Sequence, residues 1–269
     1  IQGYRTLYNN QDPMAGLLKG IMLNSADDLG NPGPDFRFGW GRINALRAIK
    51  TIEEGRFDSG YLINGGSVSR PVVVPPNTAQ LRVMIYWTDY EAATNAATAL
   101  VNNLDLTLTD GSMSVWRPWV LSHYPHPDSL NKPATRGIDN LNNMEQITLN
   151  YPAPGTYIAE VTGTSIPQGP QTYYLVYEFV PETVTLTYPA GGESWVPGEQ
   201  ELIRWDAFGT SDPFTLLYSS DNGGQWDTIA KNIPGTTRSY FWQVAPGQTG
   251  QALVRVTRGS SYDLCAAPF

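Results

Sequence analysis

Three groups of residues have types and spacing that chemistry can use. The first is Ser122-His123-Tyr124-Pro125-His126-Pro127-Asp128, which holds both histidines of the chain. A hydroxyl, an imidazole and a carboxylate are the parts of an acyl-transfer triad, but a triad needs its nucleophile on a rigid elbow beside an oxyanion hole. Neighbours along one proline-rich loop supply neither, so the segment reads as surface loop. Two imidazoles three positions apart also fall short of a transition-metal site. The second group is rich in oxygen: Asp89, Asn103 and Asp105, then Asp139, Asn142, Asn143 and Glu145. Hard cations such as calcium take about six to eight oxygens from carboxylates and carbonyls, and a divalent ion can order a loop too polar to pack itself. The same residue types also make turns and strand caps. The third group is aromatic. Trp116, Trp119 and Tyr124 share one polar loop, where rings serve either as a binding platform for polysaccharide or protein substrate or as loop anchors.

Composition restricts what can hold these groups. Only 16% of the 269 residues are charged, against roughly 25% in an ordinary soluble domain, while 26 are glycine, 21 proline and 12% aromatic. Coiled coils and helical bundles are excluded by that balance, and disorder by the apolar and aromatic content. No apolar run is long enough to cross a membrane as a helix. The net charge of −8 argues against a nucleic-acid partner. Cys265 is the single cysteine, so no intrachain disulfide forms, and its presence does not fix the compartment. The expectation is an acidic, turn-rich, mainly β protein of two or three domains.

Three regions follow along the chain. Residues 1–56 carry two helical patterns. In the first, Met14, Leu17, Leu18, Ile21 and Met22 form an apolar stripe behind Asp12 as N-cap and Pro13 at the first helical position. The second runs over about 42–54. Two such helices read as the edge of a larger α/β domain. Residues 57–182 switch to period-2 patterns, with strands expected at 70–74, 80–87, 105–109, 146–149, 156–162 and 172–179 and a long loop over about 112–143. Residues 183–269 repeat the β pattern at 183–188, 199–205, 214–219, 226–230, 239–244 and 251–257, the signature of a small immunoglobulin- or fibronectin-like sandwich.

The sequence Leu17-Leu18-Lys19-Gly20-Ile21-Met22-Leu23-Asn24-Ser25-Ala26, followed by Phe38-Gly39-Trp40-Gly41-Arg42-Ile43-Asn44-Ala45, resembles the C-terminal end of subtilisin-like (S8) serine peptidase catalytic domains. The family's Gly-Thr-Ser-Met-Ala-x-Pro nucleophile motif has no counterpart here. The resemblance implies that it lies upstream of Ile1, with the helix that carries it tailing into residues 1–8. Further on, Tyr86-Trp87-Thr88-Asp89, Leu100-Val101-Asn102-Asn103-Leu104-Asp105-Leu106, Pro154-Gly155-Thr156-Tyr157 and Gly169-Pro170-Gln171-Thr172-Tyr173 occur in the order of the P-domain-like jelly roll that follows the catalytic domain in large calcium-dependent subtilases. By that resemblance, Asp89, Asn103, Asp105, Asp139, Asn143 and Glu145 would bind calcium. Asn103 replaces a residue that is often Asp in the family. Ser219-Ser220-Asp221-Asn222-Gly223-Gly224-Gln225-Trp226 is similar to the sialidase Asp-box, which implies a structural hairpin.

The expected architecture is therefore a jelly-roll β-sandwich (57–182) followed by an Ig/Fn3-like β-sandwich (183–269), preceded by a two-helix remnant (1–56) of an α/β subtilisin-type domain. The expected function is that of the non-catalytic C-terminal region of a secreted or cell-surface bacterial endopeptidase. It would stabilise its own upstream catalytic domain, bind calcium, and present Trp116, Trp119 and Tyr124 to the protein or peptide substrate of the parent. Residues 1–56 could also mediate self-association. The rival expectation is an adhesin-like or carbohydrate-binding β module without a peptidase role.

Overall fold

The structure is a computed structural model describing residues 1–269, and it contains two compact units, Ile1–Val180 and Pro181–Phe269. Most of the ordered backbone is strand.

In the first unit, helices α1 (Gln2–Leu7), α2 (Ala15–Asn24) and α3 (Ala45–Glu53) precede strands β1 (Phe57–Leu62), β2 (Ser67–Val74), β3 (Thr78–Tyr86) and β4 (Asn103–Thr109). The long loop then contributes β5 (Val115–Trp116), β6 (Trp119–Val120), the one-turn helix α4 (Pro127–Leu130) and β7 (Thr135–Arg136). Strands β8 (Met144–Asn150), β9 (Gly155–Ser165) and β10 (Gln171–Pro181) complete the set. They form two four-stranded sheets, ordered β1-β10-β3-β8 and β2-β9-β4-β5, with β6-β7 as a separate ribbon. Alternation decides what each strand buries. Leu81, Val83 and Ile85 of β3 and Ile147 of β8 face Val72, Val74, Leu104, Leu106, Leu108, Tyr157, Ala159 and Val161 of the other sheet, and Trp87 joins them. This interior is the sandwich core.

The alternate residues of the β1-β10-β3-β8 sheet point the other way, under the helices. Leu17 and Ile21 of α2 and Ile52 of α3 pack on Tyr86, Tyr174 and Val176. Of the apolar stripe, Leu17 and Ile21 are thus buried on the sandwich itself, while Met14 and Met22 stay exposed. Close approach depends on Gly16, where a Cβ would lie 2.4 Å from the Tyr174 ring. Polar contacts fix the register: Gln146 Nε2 donates to Asn24 Oδ1 at 2.9 Å, and Arg82 Nη1 donates to the carbonyls of Asn24 and Ala26. A buried charge network joins the loop after α2 to the sheet, with Arg47 lying 3.5 Å from Asp27 and 3.8 Å from Glu178. Helix α2 begins two residues later than its Asp-Pro signal suggests. Met14 occupies the N-cap without a side-chain bond, because the Asp12 carboxylate accepts instead from Arg5 Nε at 2.7 Å. Helix α3 is capped in the ordinary way, by Asn44 accepting from the Arg47 N–H.

The second unit has seven strands: β11 (Thr185–Tyr188), β12 (Gln200–Asp206), β13 (Phe214–Ser219), β14 (Asp227–Ile233), β15 (Ser239–Gln243), β16 (Leu253–Arg258) and β17 (Ser261–Leu264). They form sheets ordered β11-β12-β15 and β14-β13-β16-β17, which close on Ile203, Trp205, Phe214, Leu216, Val254 and Val256. The Asp-box segment is the β13–β14 turn. Ser219 Oγ donates to Asp221 Oδ1 at 2.7 Å and accepts from the Gly223 N–H at 2.8 Å, while Asp221 Oδ1 accepts from the Gln225 N–H at 2.9 Å. Gly223 has φ +90° and sits against Trp226. The Ser219 hydroxyl and the Asp221 carboxylate are both spent on shaping the turn.

Candidate functional site

The oxygen-rich group gathers where one edge of the sandwich must be closed. Strand β5 pairs only with Leu108 and Thr109, so the first half of β4 is left without a neighbour on that side. An open edge inside a protein has N–H groups to satisfy. Glu145 does this from the other sheet. It shares its face of β8 with Ile147 and Leu149, is fully buried, and its Oε2 accepts from the Leu106 N–H at 2.6 Å. It also accepts a backbone hydrogen bond from Asp139.

Asp139, also buried, shapes the end of the long loop. Its Oδ1 accepts from the N–H groups of Leu141 (2.8 Å) and Asn142 (3.2 Å), and its Oδ2 accepts from Asn142 Nδ2 (2.7 Å). Next to it, Asn140 Oδ1 accepts from Asn103 Nδ2 at 2.9 Å. Asp105 accepts from Thr164 Oγ1. Two buried oxygens in this group have no hydrogen-bond partner, Asn103 Oδ1 and Glu145 Oε1. Burial pushes the Glu145 carboxyl up to about 9, the negative charges of Asp105 and Asp139 push the same way, and the bond from Leu106 only partly opposes them.

The remaining two residues of the expected calcium set do other work. Both oxygens of Asp89 accept backbone N–H groups, from Val101 at 2.7 Å and Asn102 at 2.9 Å, so Asp89 closes the 90–100 loop at its root. Asn143 Nδ2 donates to the Trp87 carbonyl at 2.7 Å and its own carbonyl accepts from the Trp87 N–H. Trp87, whose Nε1 donates to the Asn102 carbonyl at 3.0 Å, is the post to which both loops are tied. No three His, Cys, Asp or Glu side chains converge as a metal cluster. Any cation here would lean on amide and main-chain oxygens beside the carboxylates. The residues nonetheless fit a hard cation in one respect: two buried oxygens, Asn103 Oδ1 and Glu145 Oε1, lack hydrogen-bond donors.

The histidine loop builds no relay. His126 is exposed and caps the short helix α4, its Nδ1 accepting from the Asp128 N–H at 3.3 Å, with the Asp128 carboxylate 3.6 Å away. Of the three loop aromatics, Trp116 packs on Tyr157 with ring centroids 5.8 Å apart, against the sandwich core. Trp119 lies flat under the Arg136 guanidinium at 3.4 Å, donates from Nε1 to Thr148 Oγ1 at 3.1 Å, and stands where a Cβ on Gly33 would be 2.8 Å away. Tyr124 is the exposed one. Sequence reasoning passed over Asn102, which is fully buried and ties β4 to the β9–β10 turn through Gln168 and the Gln171 side chain. The partners of its side chain are more than sixty residues away in the chain, so no local pattern marks that role.

No family model matches the chain. Its sequence is similar to a Dictyostelium discoideum protein named serine protease/ABC transporter B family protein tagA, with 26% identity over 177 residues, which is 61% of this chain and 10% of that protein. The chain thus spans about a tenth of the length of the curated relative it matches. Among solved structures it is similar to the Bacillus licheniformis lipase BlEst2 in propeptide form (TM-score 0.29, 8% identity, 77% of this chain and 39% of that chain). It is also similar to the adhesin domain of Epf from Streptococcus pyogenes (TM-score 0.28, 8% identity, 79% of this chain and 76% of that chain). The sequence relation therefore ties this β-rich chain to a protease-named protein. No helix is long and apolar enough to cross a membrane.

Proposed function

We propose that this chain is the non-catalytic C-terminal region of a secreted, subtilisin-like serine endopeptidase, divided into a catalytic-domain end (1–56), a jelly roll (57–182) and an Ig-like sandwich (183–269). The carrying observation is the sequence relation to a protease-named protein over 61% of the chain, together with the ordered motifs from Leu17 to Ala45 that resemble the end of an S8 catalytic domain. The layer formed by residues 1–56 supports the reading. One side is buried on the β-sandwich, yet Ile1, Leu7, Met14, Met22 and Ile43 remain largely exposed. Such a surface suits the parent's own catalytic domain as partner, the sandwich serving as a platform that holds it in shape. Peptide-bond hydrolysis in the parent would proceed from a serine outside these residues, with Tyr124 and its loop on the substrate side.

Calcium belongs to this proposal. Asn103, Asp105, Asp139 and Glu145 would hold it, while Asp89 and Asn143 brace the loops around it. Its role would be to supply the positive charge that the buried Glu145 carboxyl lacks. No chemical step is assigned to it.

The reading is checked on the chain as it stands. Incubated with peptide substrates and with a serine-directed fluorophosphonate, it should cleave nothing and take up no label. Stoichiometric labelling at Ser122 or any other serine would overturn the assignment of a non-catalytic region.

A further inference from the structure

Between α2 and α3 the chain makes a tight turn that presents three side chains in a row. Asp35 and Gly39 exchange both backbone hydrogen bonds, at 3.0 and 2.8 Å, so Phe36, Arg37 and Phe38 form the tip. The buried Asp35 carboxylate locks that tip from below. It accepts from the N–H groups of Phe38 (2.7 Å), Arg37 (2.8 Å) and Asn31 (3.1 Å). Burial alone would raise this carboxyl, but those three donors outweigh it and hold the group below the usual carboxylate range. The positive charge of Arg37 pushes the same way. Phe36 and Phe38 are each about half exposed, at 52% and 51%, and the Arg37 guanidinium, also exposed, donates no hydrogen bond.

The tip is one wall of a cavity of about 150 Å³, lined also by Leu130, Asn31 and Asn131. Asn31 Nδ2 donates to the Asn131 carbonyl at 3.3 Å, which ties the two walls together although they are a hundred residues apart. The volume is well under the roughly 300 Å³ at which pockets begin to hold whole small molecules, so it suits one side chain. Its chemistry is mixed: apolar rings and a leucine beside the exposed Arg37 guanidinium, with Asp35 also in the lining. Preformed aromatic and arginine groups on a rigid turn are the residue types that dominate recognition energy.

We propose that this pocket captures the C-terminal residue of a peptide ending in an apolar side chain, with the α-carboxylate on Arg37 and the side chain among Phe36, Phe38 and Leu130. One terminal residue carries both required groups, and a guanidinium meets a carboxylate with two parallel hydrogen bonds. The inference does not depend on the peptidase reading. It gains a role under it, since hydrolysis generates new C-terminal carboxylates.

The test is fluorescence polarisation on the full chain with labelled Ala-Ala-Leu as free acid, as C-terminal amide, and as Ala-Asp-Leu amide. The acid should bind saturably, and both amides about tenfold or more weaker. Arg37→Gln should bring the acid down to the amide's level, and Phe38→Ala should weaken it comparably. Melting curves of the variants should match wild type, because both side chains leave the core untouched. Equal affinity for acid and amide, an unchanged affinity in Arg37→Gln, or no saturable binding of the acid at millimolar concentration would each overturn the proposal. Full binding by the Ala-Asp-Leu amide would overturn the C-terminal assignment. None of these results bears on where the chain sits in a larger protein.

Discussion

In the metal-free protein, stability should fall steadily as pH rises from 5 to 9, and Glu145→Gln should remove most of that fall. The cause is the position of one carboxyl group. Glu145 is buried on the core side of β8, with Oε1 unpartnered and the carboxylates of Asp105 and Asp139 nearby, so its folded-state pKa is raised from 4.5 to about 9. Between those two values the folded protein retains a proton that the unfolded chain has released. Its contribution is complete below the unfolded value and is lost as pH climbs towards the folded one, on the order of 1 kcal/mol per pH unit. Glutamine keeps an oxygen for the Leu106 N–H and cannot titrate, so the variant's profile should be nearly flat over this range. Urea melts at unit pH steps give both profiles, and a flat wild-type curve would contradict the burial argument.

Calcium should reverse the wild-type trend. Binding requires the deprotonated carboxylate, so the ion competes with the proton and its effect grows with pH. At a calcium concentration about 100 times its Kd, the gain is about 2.7 kcal/mol. Equal melting temperatures with calcium and with chelator at pH 8 would remove the ion from the account and leave Glu145 as a proton-bound edge cap.

The second large effect is expected at the helical layer. Ile21→Ala should cost about 2–5 kcal/mol, the range for emptying a buried isoleucine site. Ile21 is 1% exposed between α2 and the sheet, and α2 is already held as close as the missing Cβ of Gly16 permits. The distribution of the loss matters more than its size. If residues 1–56 and the sandwich are one cooperative body, hydrogen exchange should accelerate together in α2, β3 and β10. Faster exchange confined to α2, with β3 and β10 unchanged, would mean that the helices are a detachable cover.

The strands with strong alternation were legible because burial on one face leaves a period of two. Val72 and Val74, Leu106 and Leu108, and Leu216 all fall inside strands expected from pattern. Strand β1 was not legible, since Phe57-Asp58-Ser59-Gly60-Tyr61-Leu62 mixes polar residues and a glycine and buries fully only Leu62. Strand β17 is polar for the same reason. The start of α2 was misplaced because a cap signal is local, and Arg5 outcompeted the helix for Asp12. At the candidate site, Asp139 and Glu145 could be grouped by nearness in sequence. The inward direction of Glu145 was not legible, because the strand was expected only from residue 146, whereas β8 starts at Met144 and puts Glu145 on the face of Ile147 and Leu149. The backbone role of Asp89 was hidden, because its donors are twelve and thirteen residues further along a loop with no pattern. The Phe36–Phe38 pocket was hidden too, since Leu130 and Asn131 reach it only through the fold.

The central claim is that these residues continue a subtilisin-like catalytic domain. The most direct measurement is the sequence of the coding region immediately upstream of the codon for Ile1. An open reading frame that runs into Ile1 and carries Gly-Thr-Ser-x-Ala shortly before it is the expected result. A stop codon, or an in-frame sequence with no such serine motif and no Asp and His motifs further upstream, would contradict it and favour a free-standing β-sandwich binding module.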